Sequence, residues 1–175
     1  MTALVVTESY FGNTTAIADA IADGLASSGR MSVQSVAVGK IPPRLPPGLG
    51  LLVLASPTHD YGLPRWRSRR QAEKRGGYRA ETQGTREWIA GLEPDPWLKV
   101  VAVDTALQSV FTPSTAAKAA AHLLLKAGFR AARRGPTFYV GGYSGPLLEG
   151  EAARAQSWAT QLAAGLAAAR HSAKL

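Results

Sequence analysis

Cysteine is absent from the sequence, and its absence excludes several classes of site. A chain without thiols forms no disulfide bond, has no thiolate nucleophile, and cannot hold a metal ion or an iron–sulfur cluster through cysteine ligands. Any redox chemistry of this protein must therefore come from a bound organic cofactor.

Long apolar runs are also missing. The longest candidate, residues 119–129, is interrupted by His122 and Lys126 and is too short to cross a bilayer. No basic segment followed by an apolar one precedes the first predicted strand, which begins near Ala3. We therefore expect no secretory signal, no membrane partner and a cytoplasmic location.

Acidic residues are scarce, with 12 Asp and Glu against 20 Lys and Arg, so the formal net charge is +8. This excess indicates acidic partners, anionic small molecules or nucleic acid, without selecting among them. A length of 175 residues with 46% hydrophobic residues predicts one domain, residues 1–175, with a substantial core. The oligomeric state stays open.

Apolar or β-branched segments alternate with amphipathic ones along the chain. The predicted strands are Ala3–Val6, Met31–Val38, Leu51–Ala55, Trp97–Val103 and Thr137–Val140. The predicted helices are Ala16–Leu25, Thr85–Leu92, Thr115–Lys126 and a closing helix from Glu149 or Glu151 to Arg170. Strands that alternate with helices favour an α/β fold, in which a parallel sheet is covered on both faces.

The most informative stretch is the polar turn between the first strand and the first helix, residues 7–15. It contains a glycine, which lets the backbone approach a ligand, together with the hydroxyls of Thr7, Ser9, Thr14 and Thr15 and the amide of Asn13. The free N–H groups of the following helical turn, together with the helix dipole, can hold a phosphate. The alternative is a hydroxyl-rich cap on an ordinary helix.

The pattern hydroxyl-x-hydroxyl-x-x-Gly-Asn-Thr, placed directly after the first strand, resembles the phosphate loop of the flavodoxin family, which binds flavin mononucleotide (FMN). The glycine patterns of nucleoside-triphosphate and dinucleotide sites are absent from this turn. The resemblance implies a flavodoxin-like, doubly wound, five-stranded parallel sheet of order 2-1-3-4-5, with helices on both faces. It also implies that FMN is held by Thr7, Ser9, Tyr10, Phe11, Gly12, Asn13 and Thr14.

A second candidate loop follows the third predicted strand. In open α/β sheets the ligand lies at the carboxyl ends of the strands, so this loop is expected beside the first one. Its Pro-Thr-His segment, followed by an aromatic residue and glycine, resembles a flavodoxin-like subgroup, which adds Pro57, Thr58, His59, Tyr61 and Gly62 as cofactor-binding candidates. Thr58 would reach the pyrimidine edge and ribityl chain, and His59 or Tyr61 would pack on the flavin ring. Taken alone, His59 would be interpreted as a surface loop histidine, and its combination with the first loop is what favours a role at the flavin.

The loop after the fourth predicted strand supplies the other wall of the flavin pocket in the family, commonly through Gly-Asp and an aromatic residue. This sequence departs from that pattern, because Asp104 and Thr105 begin the expected loop and the nearest aromatic residue is Phe111. We take Asp104 and Thr105 as cofactor-binding candidates. Asp104 could equally cap the loop backbone.

Positive charge is concentrated in residues 65–86, which hold eight Arg and Lys residues against Glu73 and Glu81. One interpretation is a solvated, mobile face. The other is a surface beside the flavin edge that selects an anionic substrate or partner. Trp66 and Tyr78 are too few to form a stacking platform, so we rank nucleic acid low.

Two functional hypotheses remain. The first is an FMN-binding oxidoreductase that carries electrons to a redox partner protein or reduces a small, anionic or neutral, acceptor. Whether the protein is a carrier or an FMN-dependent NAD(P)H:acceptor reductase is open. The second is a non-redox regulatory or scaffold module, because this fold hosts many functions.

Overall fold

The computed structural model describes residues 1–27, 29, 31–79, 82–109 and 114–172. Its centre is one parallel sheet in the order β2-β1-β3-β4-β5. The strands are β1 Thr2–Thr7, β2 Ser32–Ala37, β3 Leu49–Pro57, β4 Lys99–Leu107 and β5 Ala132–Val140. The predicted α/β class and strand order are confirmed.

Helices cover both faces of the sheet. They are α1 Asn13–Ala26, α2 Trp66–Lys74, α3 Thr85–Ala90, α4 Ala116–Lys126 and α5 Glu151–Ser172. Neighbouring residues of β1 show how the two faces are filled, since Leu4 packs into the cluster that holds α3 and α4, and Val5 into the cluster that holds α1 and α5. This alternation follows from the strand geometry, in which successive side chains point to opposite faces.

The contact between α1 and α5 depends on a glycine. A Cβ atom added at Gly24 would lie 2.3 Å from the carbonyl oxygen of Gln156 and 2.8 Å from the Cβ of Ala159. Any side chain at Gly24 would therefore force α5 away from α1. Small residues on α5, including Ala155 and Ala159, are buried in the same layer and allow the close approach.

The basic stretch differs from a uniformly solvated face. Part of it forms α2, whose inner side buries Arg69 and Ala72. At the start of this helix the Arg65 N–H donates to Ser68 Oγ at 3.0 Å. Burial on one side explains why a charge-rich segment is helical, because most helical stability in proteins comes from packing one face.

Two strand boundaries differ most from the predicted ones. β4 continues to Leu107, so Asp104 and Thr105 lie within the strand and do not begin a loop. Both are buried, which a reading of apolar runs does not anticipate for polar residues. β5 begins at Ala132, five residues before the predicted start at Thr137. Phe111 lies outside the described residues.

Candidate functional site

Gly12 turns the chain from β1 into α1. Its φ angle of 85° lies in the left-handed region, which glycine adopts without a steric penalty. No side chain caps the first turn of α1, and that turn contains no acidic residue. The N–H groups at the start of a helix have no intrahelical partners and carry a partial positive charge. The turn is therefore suited to an anionic group.

Two hydroxyl oxygens in the first loop are buried without a hydrogen-bond partner among the described residues. They are Thr7 Oγ1 and Ser9 Oγ. A buried hydroxyl without a partner costs about 1–3 kcal/mol. Ser9 lines a cleft at the carboxyl ends of the strands, whereas Thr7 does not. The unpartnered oxygen of Ser9 is thus placed where an oxygen-rich ligand can satisfy it.

Thr14 and Thr105 bring the first loop and β4 together. Their hydroxyl oxygens lie 2.8 Å apart, and both residues are buried and line the same cleft. Either hydroxyl can donate in this pair, so the other keeps a hydrogen atom for a ligand oxygen. Thr105 therefore reaches the cleft from within the strand.

Thr58 and Asp104 hold the start of α4. Asp104 Oδ2 accepts hydrogen bonds from Thr58 Oγ1 at 3.1 Å and from the Ala117 N–H at 2.8 Å. Thr58 Oγ1 in turn accepts from the Ala116 N–H at 2.9 Å. A carboxylate at a helix N-terminus is favourable because the helix dipole is positive there. Asp104 is fully buried and caps the N-terminus of α4. The sequence had suggested that, if it did not bind the cofactor, Asp104 would cap the backbone of a loop.

Aromatic rings from three segments meet at the cleft. The His59 ring lies 5.6 Å from Tyr10 and 6.3 Å from Tyr143, measured between centroids, and is stacked with Tyr143 at 27°. Phe11 meets Tyr143 edge to face at 5.8 Å. Such rings provide flat apolar walls for a planar ligand.

Tyr143 is the main feature that the sequence analysis missed. It belongs to the glycine-rich turn after β5, and that turn had no assigned role. The signal was available in the topology, because β5 is parallel to β1 and β3 and its carboxyl end must lie at the same edge of the sheet. The same reasoning finds Val140 and Gly142, which also line the cleft.

The turn after β5 is fastened to the first loop. Asn13 Nδ2 donates to the carbonyl oxygen of Ser144 at 3.0 Å. Gly145 faces the same side chain, and a Cβ atom added there would lie 2.6 Å from Asn13 Nδ2. Its φ angle of 107° adds a second reason for glycine at this position. We call the contact of Asn13 with Ser144 and Gly145 the loop clamp.

The structure brings most of the predicted site residues to one cleft. Those that line it are Ser9, Tyr10, Phe11, Asn13, Thr14, Pro57, Thr58, His59 and Thr105. Those that do not line it are Thr7, Gly12, Tyr61, Gly62 and Asp104. Tyr61 is 61% exposed and lies at a second cleft, whose walls share Thr58, His59 and Tyr143 with the first.

A buried charged network lies beneath the first loop. Glu8 accepts hydrogen bonds from the Tyr10 hydroxyl at 2.5 Å and from the Thr85 N–H at 2.9 Å. Arg69 reaches Glu8 at 3.8 Å and binds both carboxylate oxygens of Glu87 at 2.5 and 2.6 Å. Burial raises the pKa of Glu8, and the hydrogen bonds from Tyr10 and Thr85 offset only part of that rise. This network links α2 and α3 to the first loop.

His59 is adapted to the neutral form. Burial lowers the pKa of His59, and the Asp60 carboxylate opposes that effect without overcoming it. His59 Nδ1 is buried and has no hydrogen-bond partner among the described residues. A neutral imidazole with an unsatisfied nitrogen suits contact with an uncharged, hydrogen-bonding ring.

The described ranges offer neither a metal centre nor a membrane span. They contain no group of three His, Asp or Glu side chains that could hold a metal ion. No helix in the part of the chain that the structure describes is long and apolar enough to span a membrane.

Comparison with known proteins gives similarity in structure but not in sequence. No protein-family model matches the sequence, and no curated protein matches it significantly. An archaeal flavodoxin superimposes with a TM-score of 0.62 and 15% identity, over 95% of this chain and 99% of the other. The flavodoxin of Streptococcus pneumoniae TIGR4 superimposes with a TM-score of 0.61 and 19% identity, over 94% of this chain and 99% of the other.

Rubredoxin oxygen:oxidoreductase from Desulfovibrio gigas is similar over part of its length. It superimposes with a TM-score of 0.62 and 18% identity, over 95% of this chain and 36% of that protein. The fold of the present chain is thus the flavodoxin-like fold, with the cleft at the carboxyl ends of β1, β3, β4 and β5.

Proposed function

We propose that this protein binds FMN in the cleft and transfers electrons to a partner protein or a small acceptor. The observation that carries the proposal is the unpartnered, buried Ser9 Oγ beside the uncapped N-terminus of α1. A dianionic phosphate would satisfy that hydroxyl and the free N–H groups together. The flavodoxin-like fold supports the same assignment.

The residues at the cleft divide into two groups by chemistry. Ser9 and Thr14 offer hydroxyl groups for the phosphate, at the end of the cleft formed by the first loop. Phe11, His59 and Tyr143 offer flat walls for a ring system. FMN would supply reversible electron transfer, because a chain without cysteine has no redox-active thiol of its own.

The chain's own residues would orient the cofactor and limit access of water. The loop clamp holds the turn after β5 against α1, and the hydrogen bond between Thr14 and Thr105 holds β4 in place. The neutral His59 would present an uncharged wall. Preorganised groups of this kind bind a ligand without the cost of ordering a loop.

A small-acceptor reductase is supported by the second cleft. It shares His59, Tyr143 and Leu107 with the first cleft and continues toward Tyr61 and Gln71 on α2. A planar acceptor or a nicotinamide there would lie beside a flavin bound in the first cleft. An electron carrier does not require this space, so NAD(P)H oxidation with a quinone acceptor separates the two activities.

The test of the proposal is a titration of cofactor-free protein with FMN and with riboflavin, followed by absorbance and flavin fluorescence. We expect saturable binding of FMN at one site and weaker binding of riboflavin, because riboflavin lacks the phosphate that Ser9 would contact. No spectral change with either flavin would contradict the proposal and support a non-redox module instead. Equal affinities would contradict the placement of the phosphate at the first loop.

A further inference from the structure

Cations dominate the exposed side of α2 and the turn that follows it. Between positions 65 and 79 the exposed cations are Arg65, Arg67, Arg70, Lys74, Arg75 and Arg79. The one carboxylate in that segment, Glu73, is paired with Arg70 at 2.8 Å. We call these six cations the α2 surface. Because the whole chain has a net charge of +8, the α2 surface holds the larger part of its excess charge.

Large aromatic side chains are exposed around the α2 surface. Trp66 is 52% exposed and Tyr78 is 66% exposed, and Tyr61 and Tyr143 lie nearby at the clefts. A charged face that is only solvated has no need of exposed aromatic rings. Protein interfaces, by contrast, are enriched in Trp, Tyr and Arg, and these residues supply most hot spots. The composition therefore fits a docking surface for another protein.

The α2 surface lies beside the opening of the first cleft. The Arg75 guanidinium sits 4.2 Å above the ring of Tyr143, which lines that cleft. The Tyr78 N–H donates to the carbonyl oxygen of Tyr10 in the first loop at 2.7 Å. A partner that docks on α2 would thus bring its own surface close to the cleft.

The arrangement of the cations disfavours a small anion as the ligand. Arg67, Arg70 and Lys74 recur at helical spacing, so they form a row along the outer side of α2. None of the six cations lines the second cleft, where α2 contributes Ser68 and Gln71 instead. The six cations do not line the first cleft either, so they lie outside both clefts that could enclose a small anion.

Nucleic acid is disfavoured by the aromatic rings. The Arg70 guanidinium lies 5.7 Å from the centroid of Trp66, and that of Arg75 covers Tyr143. Each of these rings therefore already has one face in a cation–π contact. Bases of a single strand stack on free ring faces, so Trp66 and Tyr143 offer them a reduced stacking area.

We infer that the α2 surface docks an acidic electron-transfer protein, with the partner's redox centre placed beside the first cleft. The redox purpose of the contact rests on the proposed function, but the docking itself depends only on charge and exposed aromatic area. Complementary charge accelerates encounter and fixes orientation, and its effect weakens as salt screens exposed charges.

The test compares two charge-reversal variants with equal change in net charge. The first is Arg67→Glu, Arg70→Glu and Lys74→Glu on α2. The control is Lys126→Glu, Arg130→Glu and Arg134→Glu, at exposed positions near the amino ends of β4 and β5. The probe is an acidic [2Fe–2S] ferredoxin, titrated calorimetrically with and without bound FMN at about 50 mM and about 300 mM salt.

We expect the wild type and the control to bind the ferredoxin, more weakly at high salt, and the α2 variant to bind at least about tenfold more weakly at low salt. A charge-neutral variant, Arg67→Gln, Arg70→Gln and Lys74→Gln, should lose part of the ferredoxin affinity. It replaces the charge-reversal variant in the comparison if three glutamates unfold α2. Equal binding by the α2 variant and the control, or no binding of ferredoxin by the wild type, would overturn the inference.

Two further measurements distinguish this inference from its alternatives. Tighter binding of a single-stranded oligothymidylate than of ferredoxin at the same salt would overturn it in favour of nucleic acid. FMN affinity is measured on the same variants, and we expect it to be unchanged. If the wild type binds ferredoxin but not FMN, the docking inference is supported and the proposed function is contradicted. If it binds FMN but not ferredoxin, the proposed function is supported and the docking inference is contradicted.

Discussion

The hydroxyl oxygens of Thr14 and Thr105 lie 2.8 Å apart, although 91 positions separate the two residues. The contact joins the first turn of α1 to β4, and these elements are brought together by the strand order, in which β3 lies between β1 and β4. The cleft is therefore built across the middle of the sheet.

Ser9→Ala should weaken FMN binding by about 10- to 100-fold, because a hydrogen bond to a charged acceptor contributes about 1.5–3 kcal/mol. Riboflavin affinity should be unchanged, since riboflavin has no phosphate. The measurement is flavin fluorescence quenching, and Ser27→Ala, at the far end of α1, is the matched control. An equal loss for both flavins would show that Ser9 acts on the fold of the loop and not on the phosphate.

Tyr143→Ala should weaken FMN and riboflavin by similar factors, whereas Tyr61→Ala should have a smaller effect on either. Tyr143 lines the first cleft and stacks with His59, while Tyr61 is 61% exposed at the second cleft. Aromatic contact adds about 0.5–1.5 kcal/mol beyond the area buried, so a loss of roughly threefold to tenfold or more is expected. Both affinities come from the same titrations. A larger effect of Tyr61→Ala would place the ring at the second cleft.

Arg69→Met should lower the free energy of unfolding by about 3–5 kcal/mol, because it leaves Glu8 buried without its cation. Arg70→Met should cost no more than about 1 kcal/mol, because its pair with Glu73 is largely exposed. The two adjacent arginines form a matched pair for urea unfolding. Similar losses would show that the burial of Arg69 is not what stabilises α2 and the first loop.

The wild type should lose stability relative to His59→Gln as the pH falls from about 7.5 to 5.5. Burial lowers the pKa of His59, so below about 6.5 the unfolded chain takes up a proton that the folded protein refuses. The difference in free energy of unfolding between the two proteins should change by at most about 1.4 kcal/mol per pH unit, and it should stay constant above pH 7.5. Urea unfolding of both proteins across this pH range measures the difference. Parallel curves would mean that His59 titrates normally in the folded protein.

The sheet could be predicted from the sequence because its strands are apolar and its helices periodic. Leu51–Ala55 forms a continuous apolar run, as expected for a strand covered on both faces, and it is the buried centre of β3. The first loop was recognisable because its hydroxyl and glycine pattern is local. Information carried by a few consecutive residues is available before the fold is known.

The features that escaped prediction depend on long-range contacts. Arg69 reads as one member of a charge run, and only the tertiary fold, which brings Glu8 and Glu87 to it, explains its burial. Asp104 reads as a loop residue, and its role at α4 follows from helix docking. Tyr143 stands in a glycine-rich turn without a motif. Arg69 and Asp104 are charged residues at buried positions, and the partners that stabilise them there are distant in the sequence.

The loop clamp has a consequence for when the protein can acquire its ligand. Asn13 and Ser144 are 131 residues apart, so at about 5–20 residues per second the ribosome needs roughly 7–26 s to add the second after the first. During that interval the first loop exists without the turn that fastens it and without Tyr143. We therefore expect ligand loading to follow synthesis of nearly the whole chain, and nascent chains stalled before Gly141 to have no tight flavin site.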